Sequence, residues 1–197
     1  MSRTDALTVA VVISSTREGR FGDVPARWIA DQVSSRADMR VDVIDLLKFS
    51  IPDVVAPSAM KPALPPDVAK LGRRLAGADA FVVVTPVYNR GYPAALKTAI
   101  DWFGEQWVAK PVGFVSYGGS GGGIYAVEQL RQVFTELHAA TVRETVSFAN
   151  YWEIFDDEGQ PSNWDEAVPT ATRLLDQLSW WARTLREGRD RQQYPLT

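Results

Sequence analysis

The stretch TPVYNRGYPAALKTAIDWF (85–103) follows the apolar, β-branched run DAFVVV (79–84). It passes from a strand into a helix through one short loop. The run 79–86 reads as a buried strand, and 93–103 reads as a helix begun at Pro93. The loop between them is dense in turn chemistry: Pro86, Asn89, Gly91 and Pro93. It also carries Tyr88 and Tyr92, and Arg90 is its only charge. Aromatic, amide and glycine groups in so short a loop suggest a cradle for a flat ring. The plainer reading is a proline-capped helix start with surface tyrosines.

The same strand–loop–helix unit recurs on both sides. LTVAVVIS (7–14) is continuously apolar, as a strand covered on both faces should be. DVPARWIADQVSSR (23–36) reads as a helix that Asp23 caps, with Pro25 tolerated in its first turn. RVDVIDL (40–46) alternates as a second strand. Residues 47–66 form a long proline-rich loop, of the kind used as a lid or a partner contact. A helix is predicted over 67–78, a strand over 110–117, an amphipathic helix over 124–139, a fifth strand over 141–150 and a last long helix from Trp164 to Arg186. The tail from Gly188 is predicted to fray. Five alternations of strand and helix predict one α/β domain over 1–197, a parallel sheet between two helix layers. Five strands suit the flavodoxin-like order 2-1-3-4-5, in which ligands lie beyond the C-terminal strand ends at the β1/β3 switch point.

Bulk properties narrow the function classes. Net charge is −3, so the chain as a whole is no electrostatic match for nucleic acid or an anionic membrane. The absence of cysteine removes thiolate chemistry and zinc–cysteine sites, and it fits a reducing, cytoplasmic setting. The apolar run near the N-terminus is too short for a membrane span and reads as a strand.

In this topology the loops after strands 1, 3 and 4 emerge at one edge. SSTREGRFG (14–22) offers hydroxyls at Ser14, Ser15 and Thr16 and guanidiniums at Arg17 and Arg20, and it leads into a helix N-terminus. Backbone N–H groups and the helix dipole favour an anion there, and so many donors suit a phosphate. It is not a Walker loop. The bland alternative is a surface loop with solvated arginines. In the glycine cluster 118–123 the backbone can approach a ligand without a Cβ in the way, although the cluster does not match the dinucleotide fingerprint. Together the loops describe a mononucleotide, its phosphate over the first helix and its ring across the strand ends.

These motifs resemble those of the NADPH-dependent FMN reductase family of flavodoxin-like quinone and azo-dye reductases. SSTREGRFG is similar to the family's G-S-x-R-x-G-R phosphate loop, TPVYNRGYPAALKTAIDW to its PEYN…P…LKNAIDW block, and SYGGSGGG…EQLR to its third loop and following helix. The resemblance implies that Ser15, Arg17, Arg20, Phe21 and Gly22 hold the FMN phosphate and its approach. It implies further that Pro86, Val87, Tyr88 and Asn89 line the isoalloxazine, and that Ser116, Tyr117, Gly118 and Gly119 close the site. Two departures stand out. Ser14 replaces a common glycine, and Val87 replaces a common glutamate, which removes that side chain's role.

The expected activity is ping-pong transfer: hydride from NADPH or NADH to bound FMN, then two electrons to a small acceptor such as a quinone, azo compound or flavin. A homodimer or homotetramer is expected from the same resemblance. The flavin carries the chemistry, so no catalytic side chain is required. His138, the sole histidine, reads as a helix-end contact, and Asp156, Asp157 and Glu158 as solvated acids rather than a metal site. The tryptophans of the last helix read as core or subunit contact. Two rivals remain: a flavodoxin-type electron carrier, against which Arg17, Arg20 and the modest charge argue, and a non-catalytic interaction module on the same fold.

Overall fold

The three most apolar runs become the three central strands. A computed structural model describes residues 6–54 and 63–195. Its elements are β1 (Leu7–Ile13), α1 (Asp23–Ser34), β2 (Met39–Asp45), α2 (Pro66–Gly77), β3 (Ala80–Pro86), α3 (Ala94–Asp101), β4 (Pro111–Gly118), α4 (Ile124–Glu136), β5 (Ala140–Ala149), α5 (Tyr151–Ile154) and α6 (Trp164–Arg191). The sheet order is β2-β1-β3-β4-β5, and every pairing is parallel. β3 and β4 are buried along their whole length, whereas the edge strands β2 and β5 mix buried, half-buried and exposed positions. Side chains point to the two faces of the sheet, and the helix layers cover those faces less completely at its edges.

Side-chain alternation along β1 sorts the core into two layers. Leu7, Val9, Val11 and Ile13 pack with Trp28, Ile29 and Val33 of α1 and Leu174, Leu175 and Leu178 of α6. Ala10 and Val12 face the other way, towards Leu71 and Leu75 of α2, Leu96 and Ile100 of α3, and Leu130 and Phe134 of α4. Each large aliphatic side chain buried in this way contributes roughly 1.5–3 kcal/mol. The β4–β5 register shifts between Val112 and Phe114. Arg131 of α4 covers that irregularity by donating to the carbonyls of Val142 at 2.6 Å and Arg143 at 3.0 Å.

The structure corrects several sequence-based boundaries. Asp23 does not cap α1: Gly22 holds the N-cap position without a side-chain bond, and Asp23 is the first helical residue. Its carboxylate instead pairs with Arg20 at 2.8 Å, still at the favourable positive end of the helix. Leu46–Lys48 forms a 3-10 turn that Asp45 caps by accepting from Leu47 N. The expected lid falls partly on residues 55–62, which lie outside the described residues; Pro52 before them accepts from Trp102 Nε1 at 2.8 Å. His138 follows α4 in the left-handed region, with φ 56°. The helix-terminating role is therefore a backbone one, and the ring rests against Tyr194. Trp180 and Trp181 are exposed on α6 and do not join the core. Among the described residues, no helix is long and apolar enough to cross a membrane.

The tail is the largest correction. α6 runs on to Arg191, beyond the predicted end at Arg186. The cause is Arg189, which donates to the carbonyl of Ala109, a buried residue just before β4. Burial lowers the pKa of this guanidinium from its ordinary value. Charged donors to a buried carbonyl outweigh the fraying expected of a polar end. Arg189→Ala is expected to destabilise the protein by about 1–2 kcal/mol in urea denaturation, while Tyr194→Ala, at an exposed position, stays within about 0.5 kcal/mol of the parent.

Candidate functional site

β1, β3 and β4 are adjacent in the sheet, so the loops that leave their C-terminal ends meet. The first loop is organised by Arg20. Its guanidinium donates to the Ser15 carbonyl at 2.7 Å and to both carboxylate oxygens of Asp45 at 2.7 Å. It also reaches Asp23 at 2.8 Å. The Arg20 and Asp45 side chains are only 7% and 8% exposed, and the fork-to-fork geometry is the strong form of this pair. Burial by itself disfavours the Asp45 carboxylate, but the Arg20 hydrogen bonds, the Leu47 amide and Coulomb attraction outweigh it. The carboxyl therefore titrates below its ordinary range. The hydrogen bond to Asp45 likewise raises the pKa of Arg20 against desolvation. A depressed carboxyl pKa contributes stability above its unfolded value and loses it as pH falls through the folded one. The pair is thus intact at neutral pH. The Arg20 guanidinium holds the loop together, and the exposed Arg17 is left as the cation at the surface of the site.

Ser15 is buried, and its hydroxyl meets the Tyr88 hydroxyl at 2.7 Å, which ties the first loop to the second. The second loop is a tight hairpin. Tyr88 and Gly91 exchange both backbone hydrogen bonds, at 2.8 and 2.9 Å, and Asn89 and Arg90 between them have φ of 49° and 70°. This is a type I′ turn, which places two successive residues in the left-handed region and favours asparagine in the first. Asn89 is exposed, and with Arg17, Val87 and Tyr88 it borders a shallow depression beside the main cavity. Arg90 lies over the Tyr125 ring at 4.3 Å, and its carbonyl accepts from Gln129 Nε2 at 3.1 Å. The hairpin is thereby fastened to α4.

In the third loop the Gly122 carbonyl accepts from both Ser116 and Ser147, at 2.7 and 2.8 Å. Ser116 is fully buried and shapes the loop from beneath. Gly123 has φ 86°, and a Cβ there would lie 2.8 Å from Ser116 Cβ and 3.0 Å from Tyr117 N. Gly118 lies under Val87: an added Cβ would stand 2.8 Å from Val87 Cγ1 and 3.1 Å from Gly123 N. Only a bare backbone permits loops two and three to approach so closely.

Between the loops lies a cavity of about 330 Å³. Arg17, Glu18, Gly19, Arg20 and Phe21 form one wall, Pro86, Val87 and Tyr88 a second, and Tyr117, Gly118, Gly119 and Tyr151 the rest. Nine of the sequence-predicted residues therefore share one cavity. Ser15, Gly22, Asn89 and Ser116 do not line it. Ser15 and Ser116 brace it from below, Asn89 turns the hairpin, and Gly22 backs Tyr117, whose hydroxyl would be 2.8 Å from a Cβ at that position. The Tyr117 hydroxyl is buried and has no hydrogen-bond partner among the described residues. Burial raises its pKa well above that of a free phenol, so it stays a neutral donor. An unpartnered buried donor on a cavity wall is the kind of group that a polar ligand satisfies.

Sequence reasoning missed Tyr151. Its ring packs on Phe21 at 4.5 Å and on Tyr117 at 5.3 Å between centroids. The available signal was the aromatic pair Tyr151–Trp152 directly after the last strand, at the rim where ligands collect. Among the described residues, no group of three potential metal ligands occurs. Asp156, from the acidic run, accepts from Gln160 N at 2.7 Å and closes a turn. Gly118→Val is expected to force Val87 and the third loop apart at a cost of about 1–3 kcal/mol in thermal or urea unfolding; an unchanged midpoint would refute the close approach of the two loops.

Known proteins resemble the chain in sequence and in fold. The chain is 36% identical over 131 residues to an NAD(P)H-dependent FMN reductase of Schizosaccharomyces pombe, a match covering 64% of this chain and 64% of that relative. It is 29% identical over 185 residues to a quinone reductase of Pseudomonas putida, covering 89% of this chain and 95% of the relative. The fold is that of FerB, a flavoenzyme NAD(P)H:(acceptor) oxidoreductase from Paracoccus denitrificans, with a TM-score of 0.71 at 20% identity over 91% of this chain and 98% of that one. Residues 7–153, well over half of the chain and inclusive of all three loops, match the family model for NADPH-dependent FMN reductase, and the chain belongs to that family.

Proposed function

We propose that the protein is an FMN-dependent NAD(P)H oxidoreductase that reduces a small acceptor, such as a quinone, azo compound or free flavin. The observation that carries this reading is the meeting of three loops, distant in sequence, around one cavity of about 330 Å³ at the rim of the sheet. That size is within the range of small-molecule sites. The residues present fit FMN. Arg17 and Phe21 line the cavity where the α1 N-terminus adds its dipole to the cation, an arrangement suited to a phosphate, and Ser15 and Gly22 brace that wall. Pro86, Val87 and Tyr88 border the place for the ring, Asn89 turns the hairpin beside it, and Tyr117, Gly118 and Gly119 close it, with Tyr117 free to donate a hydrogen bond. Arg20, on the cavity wall, is tied to Asp45, and Ser116 serves from behind through Gly122.

Bound FMN supplies hydride acceptance from NAD(P)H and two-electron delivery to the acceptor. The chain's own residues bind and orient it. Arg17 is the exposed cation for the phosphate. The type I′ hairpin presents Val87 and Tyr88 in a fixed geometry, and the aromatic group of Phe21, Tyr117 and Tyr151 limits water at the inner wall. We further propose a homodimer or homotetramer. Trp180 and Trp181, paired at 5.0 Å between centroids and exposed on α6, support it, because adjacent exposed tryptophans are unusual on a free surface. Light scattering that returns a monomer mass would remove this part of the reading.

Two measurements test the site. Protein incubated with FMN and then freed of unbound flavin is expected to be yellow and to bleach anaerobically on addition of NADPH or NADH. A yellow protein that neither nucleotide bleaches would move the reading to an electron carrier, and a protein that stays colourless would move it to an interaction module. Arg17→Ala is expected to weaken FMN by roughly 1–2 kcal/mol, about five- to thirtyfold in Kd. The loss shrinks at high salt, because Arg17 is exposed. Equal FMN affinity in parent and variant would remove Arg17 from the phosphate site.

A further inference from the structure

We infer that Asp45, at the end of β2, is a positioning residue for the phosphate loop: it acts through Arg20 to hold the Ser15 carbonyl and the turn that carries Arg17, although Asp45 itself does not line the cavity. This rests on the reading of the cavity as an FMN site. The geometry is a three-member chain. Asp45 takes both ends of the Arg20 fork at 2.7 Å, and the same guanidinium nitrogen that meets Asp45 Oδ1 donates to Ser15 O at 2.7 Å. Asp23 takes the outer side of the fork at 2.8 Å. With these partners in place, both terminal nitrogens of Arg20 are engaged by protein oxygens.

The consequence follows from peptide geometry. The Ser15–Thr16 peptide is trans, so pinning its carbonyl towards Arg20 turns the Thr16 N–H the opposite way. The Arg20 amide also donates to the Arg17 carbonyl at 3.2 Å, so the segment from Ser15 to Arg20 is closed at both ends. A loop held in this way need not be ordered when an anion arrives, so binding is spared that conformational-entropy cost. Asp45 Oδ1 also accepts from Leu47 N at 3.0 Å, which anchors the clamp to the 3-10 turn after β2. Asp45 is 7% exposed and lies in register with Ile13 of β1, so the sheet fixes its backbone.

The test compares FMN with riboflavin, which has the same ring and no phosphate, by fluorescence-quenching titration. For Asp45→Asn we expect at least a tenfold rise in Kd for FMN and no more than a threefold change for riboflavin. Because loss of one partner from a buried pair can unfold a protein, the double variant Arg20→Met/Asp45→Leu is measured beside it. It removes both charges together, keeps apolar volume, and is expected to show the same selective loss of FMN with a melting temperature near that of the parent. Equal losses for both flavins would mark general damage to the cavity and overturn the inference. Unchanged or improved FMN affinity in Asp45→Asn would overturn it too, since a released Arg20 would then be serving the phosphate itself. Parent protein that binds neither flavin would overturn the functional reading and the clamp together. Parent and variants that bind FMN equally would overturn the clamp alone.

Discussion

The structure depends on burying a parallel sheet on both faces. Parallel neighbours cannot be joined by a tight turn, so every connection must cross over through a helix. Those helices must cover an apolar surface on each side. Trp28 and Leu174 answer one face of the central strands and Leu71 and Phe134 the other. The winding reverses between β1 and β3, so the connections from these two neighbouring strands leave towards opposite layers. α1 packs on one face, whereas α2 and α3 pack on the other. The crevice at the strand ends is the geometric residue of that reversal. It forms from the sheet before any ligand takes part.

What fills the crevice is held by a second tier of interactions that the sheet does not supply. The Ser15–Tyr88 hydroxyl contact joins loop one to loop two, Gly118 lets loop two lie on loop three, and Asn150 N reaches Gly119 O at 3.1 Å to join loop three to the start of α5. Each of the two hydrogen bonds is worth roughly 0.5–1.5 kcal/mol in isolation. Together they set four segments in one arrangement, which is the condition for preorganised binding. The charged pair beneath them differs in kind. Arg20 and Asp45 exclude water from one another, and most of the donor capacity of Arg20 is met by protein oxygens. A cation on the cavity wall is thereby also part of the frame.

Much of this was legible in one dimension. Continuous β-branched runs at 7–14 and 79–86 marked the central strands, because only strands buried on both faces tolerate them. The density of turn residues in 85–93 marked a loop with a fixed shape. The motifs of the first and second loops pointed to the family, and the family model covers them. Less legible were features set by partners far away in sequence. Arg189 extends α6 only because Ala109 offers a carbonyl across the fold, and nothing near Arg189 signals it. Asp23 reads locally as a cap, but Arg20 and the Gly22 backbone claim that end of the helix.

The sequence by itself determined the class of fold, the strand order and the three loops that would be neighbours, since periodicity, proline and glycine act locally and the parallel topology leaves few arrangements. Tertiary structure alone decided what each polar side chain does at that rim. Arg17 and Arg20 are three residues apart and chemically identical, yet one is exposed and the other is locked to Asp45. Ser15 and Ser116 face other protein groups, and Tyr151 arrives from an element too short to announce itself. The reason is range: hydrophobic patterning is written along the chain, whereas a hydrogen bond or ion pair exists only between groups that folding has already brought within about 3 Å.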